Sequence, residues 1–185
     1  MSEIFFSTDI ESDGPIPGIY SMLSFASAAF NEAGEMIGTF SRNLELIPGA
    51  IQNADTMEFW SKNSAAYAAT RFDVRDPKEA MTEYVAWIKS FKGTPVFVAY
   101  PAGFDFMFVY WYLIAFAHES PFSFSALDMK TYAMAKLDIP YRKAIKKNFP
   151  KHWFSDTKHD HIAINDAIEQ GELFMNMRKH EAWQN

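Results

Sequence analysis

Ile4-Phe5-Phe6-Ser7-Thr8-Asp9-Ile10-Glu11 lies near the start of a chain of 185 residues and is short, apolar and β-favouring, the marks of a strand. Alternate residues of a strand point to one face, so Asp9 and Glu11 project together from its C-terminal end. Two carboxylates that close repel one another and are tolerated where they share a divalent cation; Mg²⁺ prefers such oxygen ligands. Acid-x-acid pairs also arise by chance among 23 acids in 185 positions, so the pair alone also fits a solvated strand end.

Outward from this strand, Ser12-Asp13-Gly14-Pro15-Ile16-Pro17-Gly18 carries prolines and glycines that block regular structure. Residues 20–30 and 36–46 read as two more strands, and Asn31-Glu32-Ala33-Gly34-Glu35 between them has the length and the glycine of a hairpin loop. Asp55-Thr56-Met57-Glu58 reads as a capping box that opens a helix over 56–69. Pro77 opens another, with Met81, Tyr84, Val85 and Ile88 on one face and Gly93 at its end. Residues 95–100 form a buried strand, and 104–117 a helix. Shorter helical pieces follow over 128–136 and 141–148, the latter stopped by Pro150, and a last helix covers 163–177. Three tightly joined strands make an antiparallel meander, and a strand reached through helices adds parallel to the first. The expectation is one α/β domain over residues 1–185, a mixed sheet flanked by helices.

Hydrophobic residues make up 49 % and charged residues 22 %, a globular balance that excludes a disordered chain. The absence of cysteine excludes disulfides, thiol nucleophiles and cysteine-type zinc sites. The apolar run over 106–117 is shorter than the roughly 20 residues of a membrane span, and the first residues carry no basic segment of a signal peptide. A cytoplasmic protein with no membrane partner is expected. The net charge of −6 argues against a chain coated for nucleic acid. Yet Arg142, Lys143, Lys146, Lys147, Lys151 and Lys158 face a single acid, Asp156, within seventeen positions. That stripe reads either as a solvated helix face or as a track for phosphates.

Three further positions carry chemistry. Asp105 is the only charged residue between Gly93 and His118. Such an acid is either a helix cap or the partner of something positive, such as a metal ion. His161 and Asp166 in His161-Ile162-Ala163-Ile164-Asn165-Asp166 straddle the start of the last helix and can reach one site. His161 also fits a surface histidine. A zinc site using His152, Asp156, His159 and Asp160 lacks a standard ligand spacing.

Together, acid-x-acid on the first strand, an acid opening the helix after the fourth, and a late His-x-Ala-x-x-Asp resemble the DEDDh 3′–5′ exonucleases, which have a ribonuclease H-like fold. The resemblance runs from Phe5 to about Glu172. Asp9-Ile10-Glu11-Ser12-Asp13-Gly14-Pro15-Ile16-Pro17-Gly18 is similar to a small bacterial exoribonuclease subgroup. The chain departs from the family in having Tyr100-Pro101 where His-Asn is common, Ser12 where Thr often follows the first Glu, and Ser24 at a strand position that often holds Glu.

The resemblance implies that Asp9, Glu11, Asp105 and Asp166 bind two Mg²⁺ or Mn²⁺ ions per active site and that His161 is the general base. Glu11 and the backbone of Ile10 would contact the terminal sugar, with Ser12 beside them. Trp60 is a candidate platform for the terminal base, although core packing is the commoner role of such a ring. Arg142, Lys143, Lys146 and Lys147 would guide phosphates, the last three from one helix face. The implied activity is hydrolysis of single-stranded RNA or DNA from the 3′ end to nucleoside 5′-monophosphates, with RNA preferred. Relatives also suggest a homodimer. The alternatives are a 3′–5′ exodeoxyribonuclease, a catalytically silent nucleic-acid-binding module on the same fold, and a structural α/β domain whose acids are surface charges.

Overall fold

The computed structural model describes residues 2–155 and 161–179. Three strands come first, β1 (Glu3–Ser12), β2 (Met22–Phe30) and β3 (Met36–Leu44), then helices α1 (Ala54–Lys62) and α2 (Ser64–Thr70). β4 (Val74–Arg75), α3 (Pro77–Lys89), β5 (Thr94–Ala99) and α4 (Ala102–Tyr112) follow, and β6 (Leu127–Asp128), α5 (Met129–Leu137) and α6 (Ala163–Lys179) complete the chain. The sheet order is β4-β3-β2-β1-β5-β6. β1, β2 and β3 form the expected antiparallel meander, and β5 joins β1 in parallel. The two-residue strands β4 and β6 extend the sheet in parallel at its edges, too short to leave a period in the sequence.

Alternation along β1 sends its side chains to two different cores. Phe6 and Ile10 pack with Tyr84 and Val85 of α3 and with Phe108 and Tyr112 of α4. Phe5 faces the other way, toward Met129 of α5 and Leu173 and Phe174 of α6. β2 is buried along its whole length, pressed on both faces, and its many small residues fit that position. Ala26 meets Ala163 and Ala167 where α6 begins. On the opposite face Ser27 Oγ lies 2.7 Å from Thr8 Oγ1 and 2.6 Å from the Tyr84 hydroxyl, so the polar groups of this buried layer are satisfied among themselves.

α6 lies against the sheet through Gly171, where a β-carbon would come 2.2 Å from Phe30 Cε2 and 3.0 Å from Ser7 Cβ. Phe30 is only 2 % exposed and has little room to yield. Gly171→Ala should therefore cost about 1–3 kcal/mol as an overpacked contact. At roughly 2–4 °C per kcal/mol for a domain of this size, a thermal melt should fall by several degrees. An unchanged melting temperature would mean that the helix can lift without penalty.

Three expected helices differ. The helix over 56–69 is two, because Asn63 closes α1 with its N–H on the Trp60 carbonyl and then precedes α2. The cap is Asn53, whose side chain accepts from the Thr56 amide at 3.0 Å; Asp55 lies in the first turn, so no capping box forms. The helix expected over 104–117 begins at Ala102 and ends in a π-helical turn, Leu113–Ala117, closed by left-handed His118. Residues 141–148 form two 3₁₀ turns, Tyr141–Lys143 and Lys146–Asn148. The backbone leaves the helical region between the two turns, at Ala144 and Ile145 (ψ 66° and 148°), and Pro150 follows the second. Lys143, Lys146 and Lys147 therefore share no helix face. Among the described residues, no helix is long and apolar enough to cross a membrane.

Candidate active site

β1 runs beside β5 only as far as the Ser7–Val98 pair. Beyond it the strands part, and the β1 backbone loses its ladder partner on that side. A buried carbonyl and amide left open there would each carry a desolvation penalty. Two side chains close the gap: Gln170 Nε2 of α6 donates to the Thr8 carbonyl at 3.0 Å, and the Ile10 amide donates to Asp105 Oδ1 at 3.2 Å. The crevice at the carboxyl ends of parallel strands is where open α/β sheets place their ligands. Here it is lined with acids.

Asp9 and Glu11 project into it from β1, Asp105 from the first turn of α4, and Asp166 from the first turn of α6. The four act on one another. Burial, then the charges of Asp105, Glu11 and Asp166, hold the Asp9 carboxyl well above its ordinary value of 3.8. Burial, then Asp166 and Asp105, push Glu11 up to about 8. Burial pushes Asp105 up to about 7, against the pull of the Ile10 amide. Carboxyls so raised accept a cation in place of their protons.

This arrangement sets a pH dependence. The folded carboxyls hold protons more tightly than the unfolded ones, which titrate near their ordinary values of 3.8 and 4.5. Between about pH 4 and 8 the folded state thus binds more protons, and stability must fall as pH rises. In EDTA the melting temperature should drop by several degrees from pH 5 to 8.5, and Mg²⁺ should restore more of it at pH 8 than at pH 5. A metal-free melting temperature that rises across this window would contradict the electrostatics described.

His161 stands just ahead of α6 with φ 59°, a left-handed conformation that costs a residue with a β-carbon about 1–2 kcal/mol. Ligand atoms of His161, Glu11 and Asp166 all lie within 4.8 Å of one another. The rings of His161 and Phe59 of α1 meet in a T, with centroids 5.3 Å apart and planes at 86°. His161 also lines a cavity of about 130 Å³ with Ser24, Asn43 and Thr70. A second cavity, of about 370 Å³, is walled by Asp9, Tyr100, Lys146, Asp166, Glu169 and Gln170.

The expected substrate contacts divide. Trp60 is corrected from a stacking platform to a core residue: it is 2 % exposed and its indole N–H donates to the Ser12 carbonyl at 2.9 Å. The open ring is its neighbour Phe59, 40 % exposed, about a quarter turn round the helix. Ser12 is buried with its hydroxyl on the Gly14 carbonyl at 2.8 Å, and the Ile10 side chain is buried with its amide on Asp105. Neither offers a free donor there to a nucleotide. Asp13, next in the same motif, is spent on the loop and accepts from the Ser21 amide at 2.6 Å. Of the basic residues, Lys146 reaches the acids, whereas Arg142, Lys143 and Lys147 stay on the exposed outer surface. Asp156, His159 and Asp160 of the zinc alternative, and Lys158, lie outside the described residues. Sequence reasoning missed Phe59, Glu169 and Gln170. The spacing Asp166, Glu169, Gln170 on one helix was the available signal, since positions three and four apart share a face.

No family model matches the chain. A curated relative, the 3′–5′ DNA exonuclease Cap18 of Escherichia coli, is 31 % identical over 177 residues, 93 % of this chain and 90 % of the relative. The fold matches the nuclease domain of 3′hExo, a DEDDh family member solved bound to rAMP, with a TM-score of 0.69 at 9 % identity over 98 % of this chain and 93 % of that one. It also matches S. pombe Pop2p in its Mg²⁺- and Mn²⁺-bound form, with a TM-score of 0.65 at 13 % identity over 95 % and 83 %.

Proposed function

This chain belongs to the DEDDh family of 3′–5′ exonucleases, and on that premise we propose that it trims single-stranded nucleic acid one nucleotide at a time by a reaction dependent on two divalent ions. The observation that carries the proposal is the meeting of Glu11, His161 and Asp166 within 4.8 Å beside half-buried Asp9 and buried Asp105. Hard carboxylate oxygens suit Mg²⁺ or Mn²⁺. Asp9, Glu11, Asp105 and Asp166 would hold the ions. When bound, these supply positive charge at the phosphate and make water a better nucleophile at neutral pH.

The side chains do the rest. His161 takes a proton from the attacking water as its oxygen bonds to phosphorus, and the bond from phosphorus to the 3′ oxygen breaks, the leaving oxygen taking a proton from solvent. The products are a nucleoside 5′-monophosphate and a strand one residue shorter that ends in a 3′ hydroxyl. Asp105 keeps one oxygen on the Ile10 amide, which fixes β1 and with it the aim of Asp9 and Glu11. Glu11 would contact the sugar of the terminal nucleotide. Phe59 supplies an open ring beside His161 for a terminal base, and Arg142, Lys143 and Lys147 form an outer track for phosphates.

The name of the Escherichia coli relative favours deoxyribonucleotide ends, whereas the motif around Asp9 favours ribonucleotide ends. The test uses both. Single-stranded RNA and DNA labelled at the 5′ end are incubated with Mg²⁺, Mn²⁺ or EDTA. A ladder shortening from the 3′ end with release of 5′-monophosphates, abolished by EDTA, is the expected result. Binding of either strand without cutting in any metal would replace this reading with that of a silent binding module.

A further inference from the structure

Of the basic side chains at positions 142 to 151, one, Lys146, lines the cavity with Asp9 and Asp166. Its Nζ lies 2.6 Å from Glu169 Oε2, with the lysine side chain 31 % exposed and the glutamate 8 %. The 3₁₀ turn that carries Lys146 is braced at both ends: Asn148 Nδ2 donates to the Lys143 carbonyl at 2.8 Å, and the Phe149 amide donates to the Lys146 carbonyl at 3.0 Å. On α6, Glu169 follows Asp166 by three residues, so the two face the cavity from successive turns. Neighbouring Gln170 is tied to the Thr8 carbonyl.

A partly buried ion pair is a weak source of stability, because desolvation cancels much of the attraction. Its position is more informative. The four carboxylates repel a polyanion, and a cation fixed in the wall beside them offsets this where a phosphate must come closest. A lysine already held in place also loses less side-chain freedom on binding than one on a solvated surface.

We propose that Lys146 is a catalytic residue that donates to a non-bridging oxygen of the phosphate being cut, and that Glu169 is a positioning residue that holds Nζ at that point. The proposal rests on the exonuclease reading of the same site and takes the phosphodiester of a single-stranded 3′ end as its ligand.

Lys146→Met alone would strand a buried carboxylate, so the informative variant is Lys146→Met with Glu169→Gln, two near-isosteres that remove both charges. Binding of a fluorescent single-stranded oligonucleotide is measured in EDTA over a range of salt. The double variant should lose about 0.7 from the slope of log K against log salt, the share of one phosphate contact on a single strand. Lys146→Arg should keep the wild-type slope. In the metal-loaded assay kcat/KM should fall roughly 10- to 100-fold in the double variant, the worth of one charged hydrogen bond. Glu169→Gln alone should keep the salt slope, lower kcat more than it raises KM, and add nothing once Lys146 is gone. A double variant with wild-type slope and wild-type turnover would reduce the pair to a structural contact and overturn the proposal. A wild-type protein that cuts no 3′ end would overturn the exonuclease reading instead, and the slope in EDTA would still report on Lys146.

Discussion

Asp9→Asn is expected to lower kcat by three decades or more while leaving the metal-free protein at least as stable as the wild type. Asp9 faces the three other acids, and both burial and their charges raise its pKa. Without divalent ions its negative charge is a liability, and the amide removes it at nearly constant shape. With ions present, the loss is that of an oxygen ligand shared by the site. Metal-borne charge stabilisation is worth several kcal/mol, and each 1.36 kcal/mol is tenfold in rate. The measurements are turnover on a labelled strand in Mg²⁺ and a melting curve in EDTA. Asp166→Asn should behave alike, from its buried place in the first turn of α6. Normal turnover in both variants, with purity verified, would remove the acids from the chemistry.

His161→Gln should slow cutting by roughly 10²–10⁴-fold, the usual contribution of a positioned general base, and leave Mn²⁺ affinity, read by calorimetry, nearly unchanged. The rate should not return on raising Mg²⁺, because the missing function is proton transfer. A large loss of metal affinity would make His161 a ligand, an arrangement that its 4.8 Å neighbourhood with Glu11 and Asp166 also permits geometrically.

Much of this architecture was legible in the sequence because the decisive signals are local. The loop from Asn31 to Glu35 closes as a tight hairpin, with the Asn31 amide on the Glu35 carbonyl and Gly34 at φ 85°. The proline at the first position of α3 gave that helix its start, and Met81, Tyr84, Val85 and Ile88 its buried face, whereas the helix ends at Lys89, ahead of the Gly93 expected to close it. The pairing of β1 with β5 followed from the rule for crossovers. Less legible was whatever depends on tertiary competition. Asn53 and Asp55 are both good helix caps by type, and only the fold selects between them. Phe59 and Trp60 are adjacent rings, and the choice of which is buried belongs to the packing of α1 on the loop after β1. The ion pair of Lys146 with Glu169 joins segments 23 residues apart, and no periodicity announces it.

Asp105 meets two demands at once, since the carboxylate that faces the acids proposed to hold the ions also closes the backbone of β1 where β5 leaves it. Its removal would strand a buried amide at a cost of about 1–3 kcal/mol, whether or not the protein cuts anything. A descendant of this chain that had given up catalysis could shed Glu11 or His161 freely, yet would still be held to a hydrogen-bond acceptor at position 105. Persistence of that acid is therefore a poor witness to activity, and a living enzyme is better told from a relic by the pair Glu11 and His161.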